Sequence, residues 1–146
     1  MLVRLIIHEC HLPRAPHTGS HLKAFRDSFS KPIVLCVEDH PIYLDLRRKV
    51  LEKDGYRVIG VTTAHDALEA LREAPVCCTI ADHMLQGSTG VDLAAQMKKI
   101  KPDVPIILFS GSMPERLGSV DVYVNKGEPT PVFLKIVRDV VERYRS

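Results

Sequence analysis

No apolar stretch in the 146 residues approaches the roughly 20 needed to cross a bilayer, so no membrane segment is expected. The opening run, Met1-Leu2-Val3-Arg4-Leu5-Ile6-Ile7, is cut off by His8-Glu9, and its apolar part is too short for a signal peptide. The net charge is only +2, too small to argue for a nucleic-acid partner. The four cysteines, Cys10, Cys36, Cys77 and Cys78, form no C-x-x-C pair. Three of them fall in apolar runs that read as buried strands, and the adjacent Cys77 and Cys78 should point to opposite faces. Reduced core thiols of a cytoplasmic protein are therefore expected. There are no internal repeats and no low-complexity tracts.

What is present is ordinary for a soluble globular protein: 45% hydrophobic and 26% charged residues. The length makes one domain and buries a core without disulfide or metal staples. Charge is uneven, with +3 on residues 1–31 and −1 on the remainder. Residues 1–31 also hold four of the seven histidines, two prolines and no sustained period, and read as a poorly ordered extension. Its His8, Cys10, His11, His17 and His21 match no structural zinc spacing. The domain proper is expected over residues 32–146.

Five short apolar runs alternate with helical periods. Ile33–Val37 and Val76–Ala81 are apolar almost throughout and read as strands buried on both faces. Tyr56–Val61, Val104–Phe109 and Val120–Val124 are three more. The spacing predicts a helix opened by His40-Pro41 and stopped at Asp54-Gly55, with Ile42, Leu46, Val50 and Leu51 as its apolar stripe and Arg47, Arg48 and Lys49 between. A second helix is capped by Thr63 and turns Ala67, Leu68 and Leu71 inward. A third runs from Gly90 to Lys101-Pro102, burying Val91, Ala94, Ala95 and Met97. The last, capped by Thr130-Pro131, buries Phe133, Ile136, Val137, Val140 and Val141. Between Ser112 and Ser119, with Pro114 and Gly118 inside, there is little room for a full helix. The alternation predicts an α/β fold, one parallel sheet covered on both faces through right-handed crossovers.

Every notable polar residue follows one of these runs: Glu38-Asp39 the first, Asp82 the third, Ser110 the fourth and Lys126 the fifth. In a parallel sheet such strand ends converge on the edge where ligands bind. Asp82 stands too far before Gly90 to cap the helix that begins there. Three carboxylates at close quarters repel by several kcal/mol unless a cation is present. A hard divalent ion with oxygen ligands, Mg²⁺ above all, meets that demand. With the Lys126 ammonium and the Ser110 hydroxyl, the cleft suits a phosphoryl group. One carboxylate can itself be the nucleophile, forming an aspartyl phosphate.

At this point the chain resembles the receiver domain of two-component response regulators, over about residues 32–145. The resemblance rests on the Glu38-Asp39 pair, on Asp82 with Gly90 eight residues later, on Ser110-Gly111 and on Tyr123-x-x-Lys126. The separations of 43 residues from Asp39 to Asp82 and 28 from Asp82 to Ser110 are typical of it. It implies a flavodoxin-like, doubly wound five-stranded sheet of order 2-1-3-4-5. It implies Asp82 as phosphoacceptor, taking its phosphoryl group from a phosphohistidine on a histidine kinase or a histidine phosphotransfer protein. Asp39 would bind Mg²⁺ directly and Glu38 through water, and the backbone carbonyl of Met84 would complete the set. Ser110 and Lys126 would contact the phosphoryl oxygens, and Tyr123 turning inward would be the switch read by a downstream protein target.

Three departures from the family are visible. Gly127 follows Lys126 where proline is usual, Gln86 stands where proline is frequent, and the 16 steps from Ser110 to Lys126 are several fewer than usual. The fourth helix is accordingly expected to be shortened or absent. With Ser146 closing the chain after the last helix, the expectation is a stand-alone receiver with protein partners, no nucleic acid and no membrane; a homodimer is compatible with it. It would be no enzyme beyond its own phosphorylation and autodephosphorylation. The departures leave open a pseudo-receiver, an interaction module that is not phosphorylated. A small phosphatase working through an aspartyl phosphate is a third reading; His83 would have to serve as its acid/base, and there is no substrate-binding cap.

Overall fold

The computed structural model describes residues 31–145; the extension expected over residues 1–31, with its histidines and Cys10, lies outside them apart from Lys31. Strands β1 (Ile33–Val37), β2 (Arg57–Val61), β3 (Val76–Asp82), β6 (Ile106–Ser110) and β7 (Val122–Asn125) form one sheet in the order β2-β1-β3-β6-β7. All four pairings are parallel. Counted along the sheet's own strands this is 2-1-3-4-5, the doubly wound arrangement expected. Helices α1 (Pro41–Lys53), α2 (Ala64–Glu73), α3 (Gly90–Ile100) and α4 (Thr130–Arg145) complete the layers. No helix of the described residues is long and apolar enough to cross a membrane.

The core follows from alternation along buried strands. Leu35, Val37, Cys77, Ala81, Ile106 and Leu108 face α2 and α3, where Ala67, Leu71, Leu93, Ala94 and Met97 meet them. Val34, Cys36, Cys78, Ile80 and Ile107 face the other way, onto Leu44 and Leu51 of α1 and Phe133, Val137, Val140 and Val141 of α4. Cys77 and Cys78 thus lie on opposite faces. Burial pushes the Cys36 thiol up to about 12, as expected of a thiol serving as a small hydrophobe.

Helix starts are largely local. Pro41 occupies the first turn of α1. Thr63 accepts a hydrogen bond from the Asp66 N–H at 3.1 Å and caps α2. Thr89, unremarked in the sequence, does the same for α3 with Asp92 at 3.1 Å. Thr130, expected as a cap, is already the first residue of α4.

Two further expectations need correction. In α1, Leu44, Arg47 and Leu51 face inward, while Ile42 and Leu46 are 65% and 56% exposed. Ile42 and Leu46 each stand two residues from Leu44, about 200° around the helix. In that phase Arg47 is turned inward, where its charge meets Glu38 as described below. In α3, Leu93 is buried and Ala95 is exposed; the Leu93–Met97 step of four sets the phase. The stretch after Asp82, left without an element by the sequence, holds a two-stranded antiparallel hairpin, β4 (Met84–Leu85) and β5 (Ser88–Thr89). Gly87, at φ +72°, makes its two-residue turn. Between β6 and β7, residues 111–121 contain turns and bends and no helix, as the short spacing implied.

Candidate functional site

Strand register builds the site. Val37 lies beside Ala81, so Glu38 and Asp82 leave the sheet at the same level. Asp82 pairs with Phe109, putting Ser110 one residue further out. Ser110 pairs with Asn125, and the Lys126 N–H continues the ladder by donating to the Ser110 carbonyl at 2.9 Å. Helix α3 closes the floor. The Gly90 N–H donates to the His83 carbonyl at 2.7 Å, and a β-carbon at Gly90 would collide with the Asp82 backbone oxygen and the Leu108 side chain.

Four of the expected residues meet at this edge. Carboxylate oxygens of Glu38, Asp39 and Asp82 lie within 4.8 Å of one another. Glu38 is fully buried and Asp82 nearly so, whereas Asp39 is half-buried. Asp82 Oδ1 accepts the His83 N–H at 2.8 Å, and Oδ2 accepts Lys126 Nζ at 2.9 Å. Glu38 Oε1 accepts the His40 N–H at 3.2 Å. Its Oε2 lies 3.3 Å from Arg47 Nη2 and 3.6 Å from Lys126 Nζ.

Burial first, then the neighbouring Asp82 carboxylate, holds Glu38 above the usual carboxylate range. Burial also pushes Asp82 upward, but the hydrogen bond with Glu38, the Lys126 ammonium and the His83 N–H outweigh it and hold Asp82 below that range. Three carboxyl groups, two of them desolvated, offer the oxygen donors that a hard divalent ion takes once they are ionised. The residues present therefore fit Mg²⁺.

Ser110 and Tyr123 sit close by but are engaged elsewhere. The buried Ser110 hydroxyl donates to the Ser112 carbonyl at 3.0 Å. The half-buried Tyr123 donates its hydroxyl to the Ser110 carbonyl at 3.2 Å and accepts from Asn125 Nδ2 at 3.2 Å. Met84 lies in β4, two residues past Asp82, and is 71% exposed. At Lys126-Gly127, Asn125 Oδ1 accepts the Gly127 N–H at 2.7 Å. That turn carries Lys126 to Asp82 without the family's proline. Sequence reasoning missed Arg47, which it treated as a polar spacer. The available signal was its place three residues after Leu44 and four before Leu51, on the inward phase.

Residues 34–120 match the response regulator receiver domain family, and the chain belongs to that family. It is 31% identical over 117 residues to the uncharacterized transcriptional regulatory protein YbdJ of Bacillus subtilis (strain 168), a match covering 76% of this chain and 51% of that protein. It is 33% identical over 84 residues to the response regulator receiver protein CpdR of Brucella abortus (strain 2308), covering 56% of this chain and 67% of CpdR. The chain thus spans about half the length of the first of these relatives and two thirds of the second. Among solved structures, the CheY-like receiver domain protein of Methanospirillum hungatei JF-1 superposes with a TM-score of 0.72 at 21% identity, over 77% of this chain and 94% of that one. TrrA of Thermotoga maritima, solved in complex with Mg²⁺-BeF, gives 0.70 at 24%, over 75% and 98%. These two likenesses are of fold. Receiver domains bind Mg²⁺ in an acidic pocket and serve phosphorylation-based signalling; this chain carries such a pocket.

Proposed function

We propose that Asp82 accepts a phosphoryl group from a phosphohistidine of a histidine kinase or phosphotransfer protein, and that the aspartyl phosphate switches binding of a downstream protein. The observation that carries this reading is the meeting of Asp82 Oδ2 with Lys126 Nζ at 2.9 Å inside a cluster of three carboxylates at the carboxyl edge of the sheet. Asp39 and Asp82, with Glu38 and the Met84 carbonyl, would hold the Mg²⁺, whose charge offsets the negative charge of the incoming phosphoryl oxygens. An Asp82 carboxylate oxygen forms the new bond to phosphorus, the P–N bond breaks, and the electron pair leaves with the donor imidazole. Lys126 then pairs with a phosphoryl oxygen in place of the carboxylate oxygen it now holds. The Ser110 hydroxyl gives up the Ser112 carbonyl to donate to the phosphoryl group. Tyr123, bonded to the Ser110 carbonyl, is coupled to that movement. Ile42, Tyr43 and Leu46, exposed on the first turns of α1 just after the acidic pair, offer the apolar patch that a protein donor needs.

The test is incubation of the whole chain with MgCl₂ and acetyl phosphate, and separately with beryllofluoride, read by intact mass and by amide NMR shifts. Wild type should form one adduct and move resonances of Ser110, Tyr123 and Lys126. Asp82→Asn should do neither. A folded wild type that forms no adduct would overturn the proposal and leave an interaction module, the reading that the Ser110–Ser112 bond and the missing helix favour.

A further inference from the structure

We infer that Arg47 is a positioning residue of the phosphoacceptor site, an internal counter-cation that holds Glu38 and thereby sets how tightly the site takes its divalent ion. This rests on the Mg²⁺-dependent reading above. Arg47 projects inward from α1 with its side chain 6% exposed. Its Nη2 lies 3.3 Å from Glu38 Oε2, and its guanidinium carbon lies 4.6 Å from the centre of the Phe109 ring. Lys126 Nζ lies over the same ring at 5.9 Å and near the same oxygen at 3.6 Å. Two cations therefore share one aromatic surface and one carboxylate oxygen, on the residue that opens the metal cluster.

Packing alone does not account for an arginine here. Its Nη1 is buried with no hydrogen-bond partner. A buried ion pair with an orphaned donor is a costly way to fill space between two helices and a sheet, and an apolar side chain of similar volume generally does it better. The cost is offset if the charge is needed where it stands. With two cations facing three carboxylates, Glu38 is already committed when a divalent ion arrives. The ion must share that carboxylate with the guanidinium, and two like charges separated by one carboxylate repel. Arg47 thus weakens Mg²⁺ binding while keeping the apo site folded.

The experiment is the Mg²⁺ binding isotherm of the whole chain, by calorimetry at fixed ionic strength and pH, for wild type, Arg47→Met, Arg47→Gln and Arg47→Lys. Amide NMR spectra establish that each is folded; the glutamine variant serves if the methionine variant is not. Removing a unit charge this close to a dication should tighten Mg²⁺ binding by about tenfold or more. Arg47→Lys, which restores the charge, should return the affinity towards wild type, a rescue that a purely structural role would not produce. Equal affinity in wild type and the neutral variants, or weaker binding in the latter, overturns the inference and leaves the receiver reading standing. Binding that appears only in the neutral variants supports it. No saturable binding in any of the four overturns both.

Discussion

The crossover between β6 and β7 has no helix to hold it, and one carboxylate takes over much of that task. Asp121 Oδ2 accepts the Ile106 N–H at 2.8 Å and Lys98 Nζ at 2.7 Å. Lys98 also donates to the Val104 carbonyl at 2.9 Å, so α3 and the starts of β6 and β7 are tied at one point. These are the strands whose far ends carry Ser110 and Lys126. Asp121→Ala removes both bonds. Ile106 is 1% exposed, and a buried N–H left without an acceptor costs about 1–3 kcal/mol. The Lys98 bond joins side chains 21% and 12% exposed, and after screening adds about 1 kcal/mol. Asp121→Ala should therefore cost about 3 kcal/mol. Asp121→Asn keeps an oxygen for Ile106 and should cost about 1 kcal/mol. Urea unfolding at unchanged m-value reads both, and a cycle with Lys98→Met should return a coupling of about 1 kcal/mol. A loss below about 1 kcal/mol for Asp121→Ala, or equal losses for the two variants, would refute this account of how the strands are clamped.

Three further substitutions probe the site floor, the hairpin turn beside it and the opposite end of the sheet. Gly90→Ala, whose new methyl meets the Asp82 backbone and Leu108, should lower stability by about 1–3 kcal/mol and weaken beryllofluoride binding under conditions where the variant is folded. Gly87→Ala, strained by its φ of +72° but with nothing within 4 Å, should lose stability and keep that binding; equal binding by both variants would sink the distinction. Asp54 accepts two bonds from Arg138, at 2.8 and 2.9 Å, which hold its carboxyl below the ordinary aspartate value. A folded-state value lowered in this way gives stability that is present above the unfolded-state value and lost as pH falls through the folded one. Asp54→Asn should accordingly melt below wild type at neutral pH, with the gap closing in acid; a gap that does not change with pH would count against the pair.

The fold was legible because its signals are local and redundant. β1 and β3 announce themselves as apolar runs, Pro41 and Thr63 mark helix starts, and the short span from Ser110 to Lys126 foretells the missing helix. The positions of Glu38, Asp39, Asp82 and Lys126 were legible for a related reason: an apolar run in a parallel sheet also tells where its carboxyl edge lies. The hairpin after Asp82 was not, since two strands of two residues carry no period; only Gly87 between Leu85 and Ser88 pointed to it. The hydroxyl of Ser110 was placed correctly along the chain, but its bond to Ser112 depends on a loop conformation that strand patterning does not specify.

The misread face of α1 has a different origin, and it ties fold to site. Periodicity counts arginine as polar and sends it outward, which turned Ile42 and Leu46 inward on paper. In the folded chain a buried carboxylate at the end of β1 creates a demand for positive charge on the neighbouring helix, and Arg47 lies on the face that can meet it. Helix α1 therefore takes its phase from Leu44, Arg47 and Leu51 together, and Ile42 and Leu46 are left on the surface beside the acidic cluster. The pairing of Glu38 with Arg47 thus links what the helix buries to which apolar side chains it leaves exposed.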